Sequence, residues 1–77
     1  MKAFILISLN EIFSKGIIDE LQKYPQIEKA NFIFGEWDII AEVNVSNSEE
    51  LYTFVIDSLR SREDIKLTSS LIVAGMS

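Results

Sequence analysis

Apolar residues recur along the chain with periods of two and of about 3.6, and the changes of period divide it into strand and helix segments. Residues 2–9, Lys-Ala-Phe-Ile-Leu-Ile-Ser-Leu, are β-rich and largely apolar on both faces, as in a central strand. Ala3, Ile5, Ile7 and Leu9 form one face; Lys2, Phe4, Leu6 and Ser8 form the other. Asn10 is then placed to cap a helix, with Glu11 in its first turn. Over residues 12–24 Phe13, Ile17, Leu21 and Tyr24 share a helical stripe, while Lys15, Asp19, Gln22 and Lys23 fall elsewhere. Pro25 ends this helix, because the residue before a proline is driven out of the α region.

Residues 27–45 read as a hairpin about Phe34-Gly35-Glu36-Trp37-Asp38. Gly35 can take the positive φ of a two-residue type II′ loop. That loop sets the register: Phe34 faces Trp37, Ile33 faces Asp38, Phe32 faces Ile39, Asn31 faces Ile40, Ala30 faces Ala41, and Lys29 faces Glu42. Phe34, Phe32, Ala30, Trp37, Ile39, Ala41 and Val43 then share the core face. Ile33, Asp38, Asn31, Ile40 and the opposite-charge pair Lys29/Glu42 share the other. Asn47 with Glu50 three residues on resembles a capping box. In the helix that follows, Leu51, Phe54, Val55, Ser58 and Leu59 make the buried stripe, and Arg60 and Arg62 suit the negative end of the dipole. Tyr52 and Ile56 mark either the core edge or a second interface between dimers. Glu63 and Asp64 form a turn before a last strand from Ile65 to Ala74, where Leu67, Ser69, Leu71 and Val73 alternate against Lys66, Thr68, Ser70 and Ile72.

The order strand, helix, strand, strand, helix, strand is that of an α+β, ferredoxin-like βαββαβ sandwich. Right-handed crossovers give an antiparallel four-stranded sheet, ordered last, first, third, second, with both helices on one face. The length of 77 residues fits one domain, residues 1–77. With Ala3, Ile5, Ile7, Leu67, Leu71 and Val73 as the core set, the helix-free face carries Phe4, Leu6, Ile33, Ile40 and Ile72. That is more apolar surface than a small monomer usually exposes, so a homodimer by sheet-to-sheet packing, a dimeric α/β barrel, is expected. A monomer with a partly apolar sheet is the alternative.

Composition narrows the chemistry. The chain has no cysteine and no histidine, which removes disulfides, thiolate metal sites and the commonest general base. Its net charge is −5 and its seven basic residues form no patch, so no direct nucleic-acid contact is expected. The longest apolar run, Ala3 to Ile7, is far short of a membrane span, and no small-residue cleavage site follows it. A cytoplasmic protein with no membrane contact is the expectation. The pairs Glu36/Asp38, Glu49/Glu50 and Glu63/Asp64 are weak acidic pairs, and the last two are explained by dipole and turn chemistry. No phosphate-cradling glycine loop is present and no nucleophile has a visible base, so no catalytic residue, metal or cofactor is assigned.

Asp38, Thr68 and Ser70 are the candidate site residues, expected on the helix-free face. A carboxylate accepts hydrogen bonds from an ammonium group, and hydroxyls with turn N–H groups can hold a carboxylate. Asp38 and Thr68 are expected on either side of the first strand, about 10 Å apart from a strand spacing of about 4.8 Å. They could grip a small zwitterion from two sides or belong to sites shared between chains. Equally, Asp38 could simply end a turn, with Thr68 and Ser70 ordinary polar sheet residues.

The run Phe34-Gly35-Glu36-Trp37-Asp38-Ile39-Ile40-Ala41-Glu42-Val43 resembles the Gly-x-aromatic-Asp turn and strand of the Lrp/AsnC transcription regulators. Ser48 to Val55 looks like that family's second helix, and Ile65 to Val73 is similar to its last strand, with its Thr-x-Thr or Thr-x-Ser pattern. The resemblance covers nearly the whole chain but only the C-terminal effector-binding (regulation of amino acid metabolism) domain. It implies dimerisation through sheet faces, further assembly into octamers, and amino-acid effectors held near dimer–dimer contacts. It implies that Gly35 and Asp38 contact the ligand, Asp38 toward the α-amino group, and that Thr68 and Ser70 supply hydroxyls. The helix-turn-helix domain of these regulators is absent, so a stand-alone effector module in transcription regulation is expected. It would act by ligand-modulated self-assembly or by assembly with full-length regulators of that family, and would not be an enzyme. The alternatives are a ligand-free oligomerisation partner and a small enzyme on the dimeric barrel architecture.

Overall fold

The computed structural model of the chain describes residues 1–11 and 13–75. Strand β1 (Lys2–Leu9) is central, flanked by β3 (Ile39–Asn44) and β4 (Ile65–Ile72), with β2 (Ile27–Phe32) outside β3. All three pairings are antiparallel, and the order β2-β3-β1-β4 is the one expected. Helices α1 (Ile17–Gln22) and α2 (Ser48–Phe54) complete the βαββαβ sequence, and α2 runs on into a π-helical turn, Val55–Leu59, closed by the Arg60 N–H to Val55 carbonyl bond of 2.8 Å.

The core lies between the sheet and the helices. Ala3, Ile5 and Ile7 of β1 and Ile39, Ala41 and Val43 of β3 are fully buried there with Ile17, Leu21 and Leu59. Every other residue of β1 points into this layer, as a two-residue period requires. The hairpin register follows the sequence expectation from Lys29↔Glu42 to Phe32↔Ile39. Its tip does not. The ladder strands stop at Phe32 and Ile39; the Ile33 N–H still bonds the Asp38 carbonyl at 2.9 Å, as the expected register has it, but Gly35 beyond it has φ +128°, away from the type II′ value near +60°. The connection is a wider bend in place of a two-residue turn. Phe34, expected on the core face, stands fully in solvent at 106% relative exposure, and Phe32 is half exposed against Phe13 at 6.5 Å.

The first helix is also shorter than its stripe suggested, and it starts after Gly16. Asn10 does not cap it. Its Nδ2 donates to the Glu63 carbonyl at 2.7 Å and its N–H to the Asp64 carbonyl at 2.9 Å, tying the end of β1 to the turn before β4. The Ser14 hydroxyl accepts from the Gly16 N–H, a side-chain turn that competes with helix, and Phe13 is pulled onto Phe32. Ile12, the first residue of the expected helix, lies outside the described residues. The cap of the second helix is as read, with Asn47 Oδ1 accepting the Glu50 N–H at 2.8 Å and the Glu50 carboxylate reaching back to the Ser46 N–H at 3.1 Å. Leu51, Phe54, Val55 and Leu59 are buried as expected, but Ser58 is only half-buried and Arg62 lies beyond the helical turn.

The last strand is out of phase with the sequence reading. Ile65 is buried and pairs with Leu9, but Leu67 pairs with Ser8, so one residue, Lys66, is extra on β4. An extra residue reverses which face every later side chain takes. Thr68 therefore pairs with Ile7, Ser70 with Ile5 and Ile72 with Ala3, all on the helix side, while Leu71 pairs with Phe4 on the open side. Leu67, Leu71 and Val73, expected in the core, are 55%, 50% and 44% exposed. The open sheet face thus carries Phe4, Leu6, Ile40, Leu67 and Leu71, and its apolar half sits over β1 and β4.

Candidate functional site

The reversed phase of β4 moves two candidate residues to a new setting. Thr68 and Ser70 lie on the helix side, in a groove of about 270 Å³ between β4 and the second helix. Leu51 and Val55 form its floor. Ser48, Tyr52, Ile56 and Arg60, each four residues after the last, form the helical wall, because residues four apart stack on one face of a helix. The groove has an apolar body, hydroxyls from Thr68, Ser70 and Ser48, and one charged side chain, Arg60. Among the described residues Arg60 has no ion pair. Its volume falls just below that of ordinary ligand clefts, which run from roughly 300 to 1,000 Å³, so the groove suits only a small ligand. Of the helical wall the sequence singled out only Tyr52 and Ile56, as core-edge or interface residues; the strand wall was hidden by the extra residue in β4.

Asp38 is not in this groove. Its N–H donates to the Ile7 carbonyl at 2.9 Å although Ile7 pairs with Ile39, so the ladder is irregular at that end. Its Oδ2 accepts the Leu9 N–H at 2.8 Å, supplying the acceptor that a continued ladder would have provided. The half-buried carboxylate is therefore turned toward the end of β1, and does not stand off the open face as expected. Its other oxygen makes no hydrogen bond among the described residues and retains acceptor capacity. Gly35 lies three residues earlier in the bend, and a Cβ built there would meet nothing within 4 Å, so only its backbone angle calls for glycine. Asp38 and Thr68 flank Ile7 from opposite sides of β1, as their strands dictate. One chain brings Thr68 and Ser70 together, and Gly35 and Asp38 together, but does not join the two pairs.

Two other features compete for attention. On the open face Phe4, Lys29, Asn31, Ile40 and Glu42 line a depression of about 120 Å³, and the Lys2–Glu42 ion pair at its margin raises the Lys2 pKa. Below the helices Arg62 makes a two-pronged bond to Asp64, Nε to Oδ1 at 3.0 Å and Nη2 to Oδ2 at 2.9 Å, and a third bond to Glu20 at 2.7 Å. Arg62 holds the Asp64 carboxyl below its ordinary range; the Ser14 hydroxyl and then Arg62 do the same for Glu20. With all its partners on the protein, this cluster fastens α1 to the start of β4. Among the described residues no group of three or more acidic side chains is gathered to hold a metal ion, and no helix is long and apolar enough to cross a membrane.

Residues 2–75 match the model of the Lrp/AsnC ligand binding domain. The chain belongs to this family. An uncharacterised HTH-type transcriptional regulator of Pyrococcus abyssi is 32% identical over 73 residues, 91% of this chain and 49% of the regulator. The chain spans about half the length of the curated relatives it matches, which are transcriptional regulators. Among solved structures, the hypothetical protein PHS023 of Pyrococcus horikoshii is similar with TM-score 0.81 and 26% identity, over 91% of this chain and 84% of that one. The Neisseria meningitidis regulator NMB0573, solved as its L-Met complex, shares the fold with TM-score 0.88 at 21% identity, over 97% of this Lrp/AsnC domain and 50% of that chain.

Proposed function

We propose that residues 1–77 act as one effector-binding and oligomerisation domain in transcription regulation, taking a small amino acid in the groove between β4 and the second helix. The observation that carries this reading is the groove itself. In a chain of a ligand-binding family, Thr68 and Ser70 face an apolar floor with a free guanidinium, Arg60, at the rim. The guanidinium and hydroxyls suit a carboxylate, and Leu51, Tyr52, Val55 and Ile56 suit an apolar side chain. The ammonium is best met by an anionic acceptor, which the groove's lining lacks. The free oxygen of Asp38, beside Gly35, supplies it when a second chain brings its own bend to the groove.

Self-association has a separate basis. Phe4, Leu6, Ile40, Leu67 and Leu71 make an apolar half-sheet that a second copy covers by packing face to face. Such a module acts on transcription, in the cytoplasm and without catalysis, by changing its own assembly or by joining full-length regulators of the family. The regulator crystallised with L-Met makes apolar amino acids the first ligands to test. Isothermal titration against the twenty amino acids should give heat with at least one, weakened by Thr68→Val and by Asp38→Ala. No heat with any of them would sink the ligand reading.

A further inference from the structure

We propose that the groove between β4 and the second helix takes, within a single chain, a short branched 2-oxo acid: a carboxylate with an oxygen at C2 and no ammonium. The charge of the lining carries this. Arg60 is the only charged residue there, so the lining holds one positive charge and no negative one. A 2-oxo acid brings a single negative charge to meet it. A zwitterionic amino acid brings an ammonium as well, which finds no carboxylate in the lining and shares a small space with a guanidinium. Asp38 lies outside the groove, with one oxygen already accepting the Leu9 N–H. A guanidinium offers paired N–H donors to a carboxylate, the hydroxyls of Thr68 and Ser70 can donate to the C2 oxygen, and Leu51 and Val55 can cover the branched tail.

The backbone holds Arg60 in place for this. In an unbroken α-helix residues four apart advance by about 40° at each step, so Arg60, three steps on from Ser48, would have turned roughly 120° off the wall. The π-helical turn Val55–Leu59 closes five residues on, by the Arg60 N–H to Val55 carbonyl bond of 2.8 Å, and so winds more slowly over the last step. That keeps Arg60 in line with Tyr52 and Ile56 while Leu59 stays fully buried. Turns of this kind recur at functional sites. The proposal rests on the groove's being the ligand site, as proposed above, but not on the ligand's being an amino acid. The class of reaction that supplies such a ligand is transamination or oxidative deamination of the amino acid with the same carbon skeleton.

Isothermal titration of the full chain tests it with four probes: the 2-oxo acid of the leucine skeleton, leucine itself, the plain acid lacking the C2 oxygen, and the amine lacking the carboxylate. The 2-oxo acid should give heat that saturates at one molecule per chain. The plain acid should bind about threefold or more weakly, as loss of a hydrogen bond dictates, and the amine should give no heat. Arg60→Gln should weaken the 2-oxo acid by about tenfold or more, Arg60→Lys should weaken it less, and Thr68→Val should weaken it by about threefold or more. Arg60 is exposed and Thr68 half-buried, and circular dichroism checks that each variant folds. The proposal is overturned by undiminished binding to Arg60→Gln, or by an amine that binds as well as the acid. Heat with leucine and none with the 2-oxo acid overturns it and leaves the amino-acid reading standing. Heat with the 2-oxo acid and none with any amino acid does the reverse, and silence with both overturns both.

Discussion

Arg62 gives the sharpest stability prediction. Its guanidinium is mostly covered, with 19% of the side chain exposed, and Asp64 beside it retains 13%. Replacing Arg62 with Met keeps an unbranched apolar stem but leaves Asp64 and Glu20 without their cation. Exposed pairs contribute about 0.2–1 kcal/mol, and breaking a fully buried pair costs about 3–5 kcal/mol. A two-pronged, largely covered pair lies between, so Arg62→Met should cost about 1–3 kcal/mol. For a domain of this size that lowers the melting temperature by roughly 4–24 °C. The pH dependence has a definite sign. Arg62 lowers the Asp64 pKa and, behind Ser14, the Glu20 pKa, so this stabilisation is present above the unfolded carboxyl values near pH 4 and is lost as pH falls through the lower folded values. Thermal unfolding followed by circular dichroism, at one protomer concentration, should show a large gap between wild type and Arg62→Met at pH 7 that narrows below about pH 4. A gap under about 2 °C at pH 7, or one that does not change with acidification, refutes the clamp. So would strict additivity of Arg62→Met with Asp64→Asn, since partners in contact couple by about 0.5–3 kcal/mol.

Three further substitutions test other parts of the structure by the same thermal or denaturant measurement. Asn47→Ala removes the acceptor for the Glu50 N–H and should cost about 1 kcal/mol, with Asn47→Ser largely neutral. Gly35→Ala forces a side chain into φ +128° with no contact to relieve, so it should cost about 1–3 kcal/mol through the backbone alone; an unchanged stability would mean the bend relaxes freely. Ile5→Ala empties a fully buried site in the central strand and should cost about 2–5 kcal/mol, whereas Leu67→Ala, on the open face, should cost little in a monomeric background.

The order of elements, the sheet order and the hairpin register were all legible, because each rests on strong local signals: the doubly apolar β1, the Asn47 cap, and the pairing of Lys29 with Glu42. Where the reading failed, long-range contacts or added residues overrode a local pattern. Gly16 and the Ser14 turn cut α1 short, and Asn10 was drawn to the backbone of Glu63 and Asp64, more than fifty positions away. Phe34 looked like a core residue because alternation was carried through a bend that does not keep it. The most consequential miss was one residue in β4. Lys66 reverses the phase between Ile65 and Leu67, and that single insertion carries Thr68 and Ser70 from the open face to the groove. Hydrophobicity alone favoured the wrong phase, since Leu67, Leu71 and Val73 look like core until a second copy is imagined covering them.

The location of the ligand is most directly tested by amide chemical-shift mapping of the ¹⁵N-labelled chain during titration with an amino acid that gives heat. Shifts centred on Ile56, Arg60, Thr68 and Ser70, with a second cluster at Gly35 and Asp38, are the predicted result. Shifts confined to Phe4, Lys29, Asn31, Ile40 and Glu42 would place the ligand on the open sheet face and contradict it.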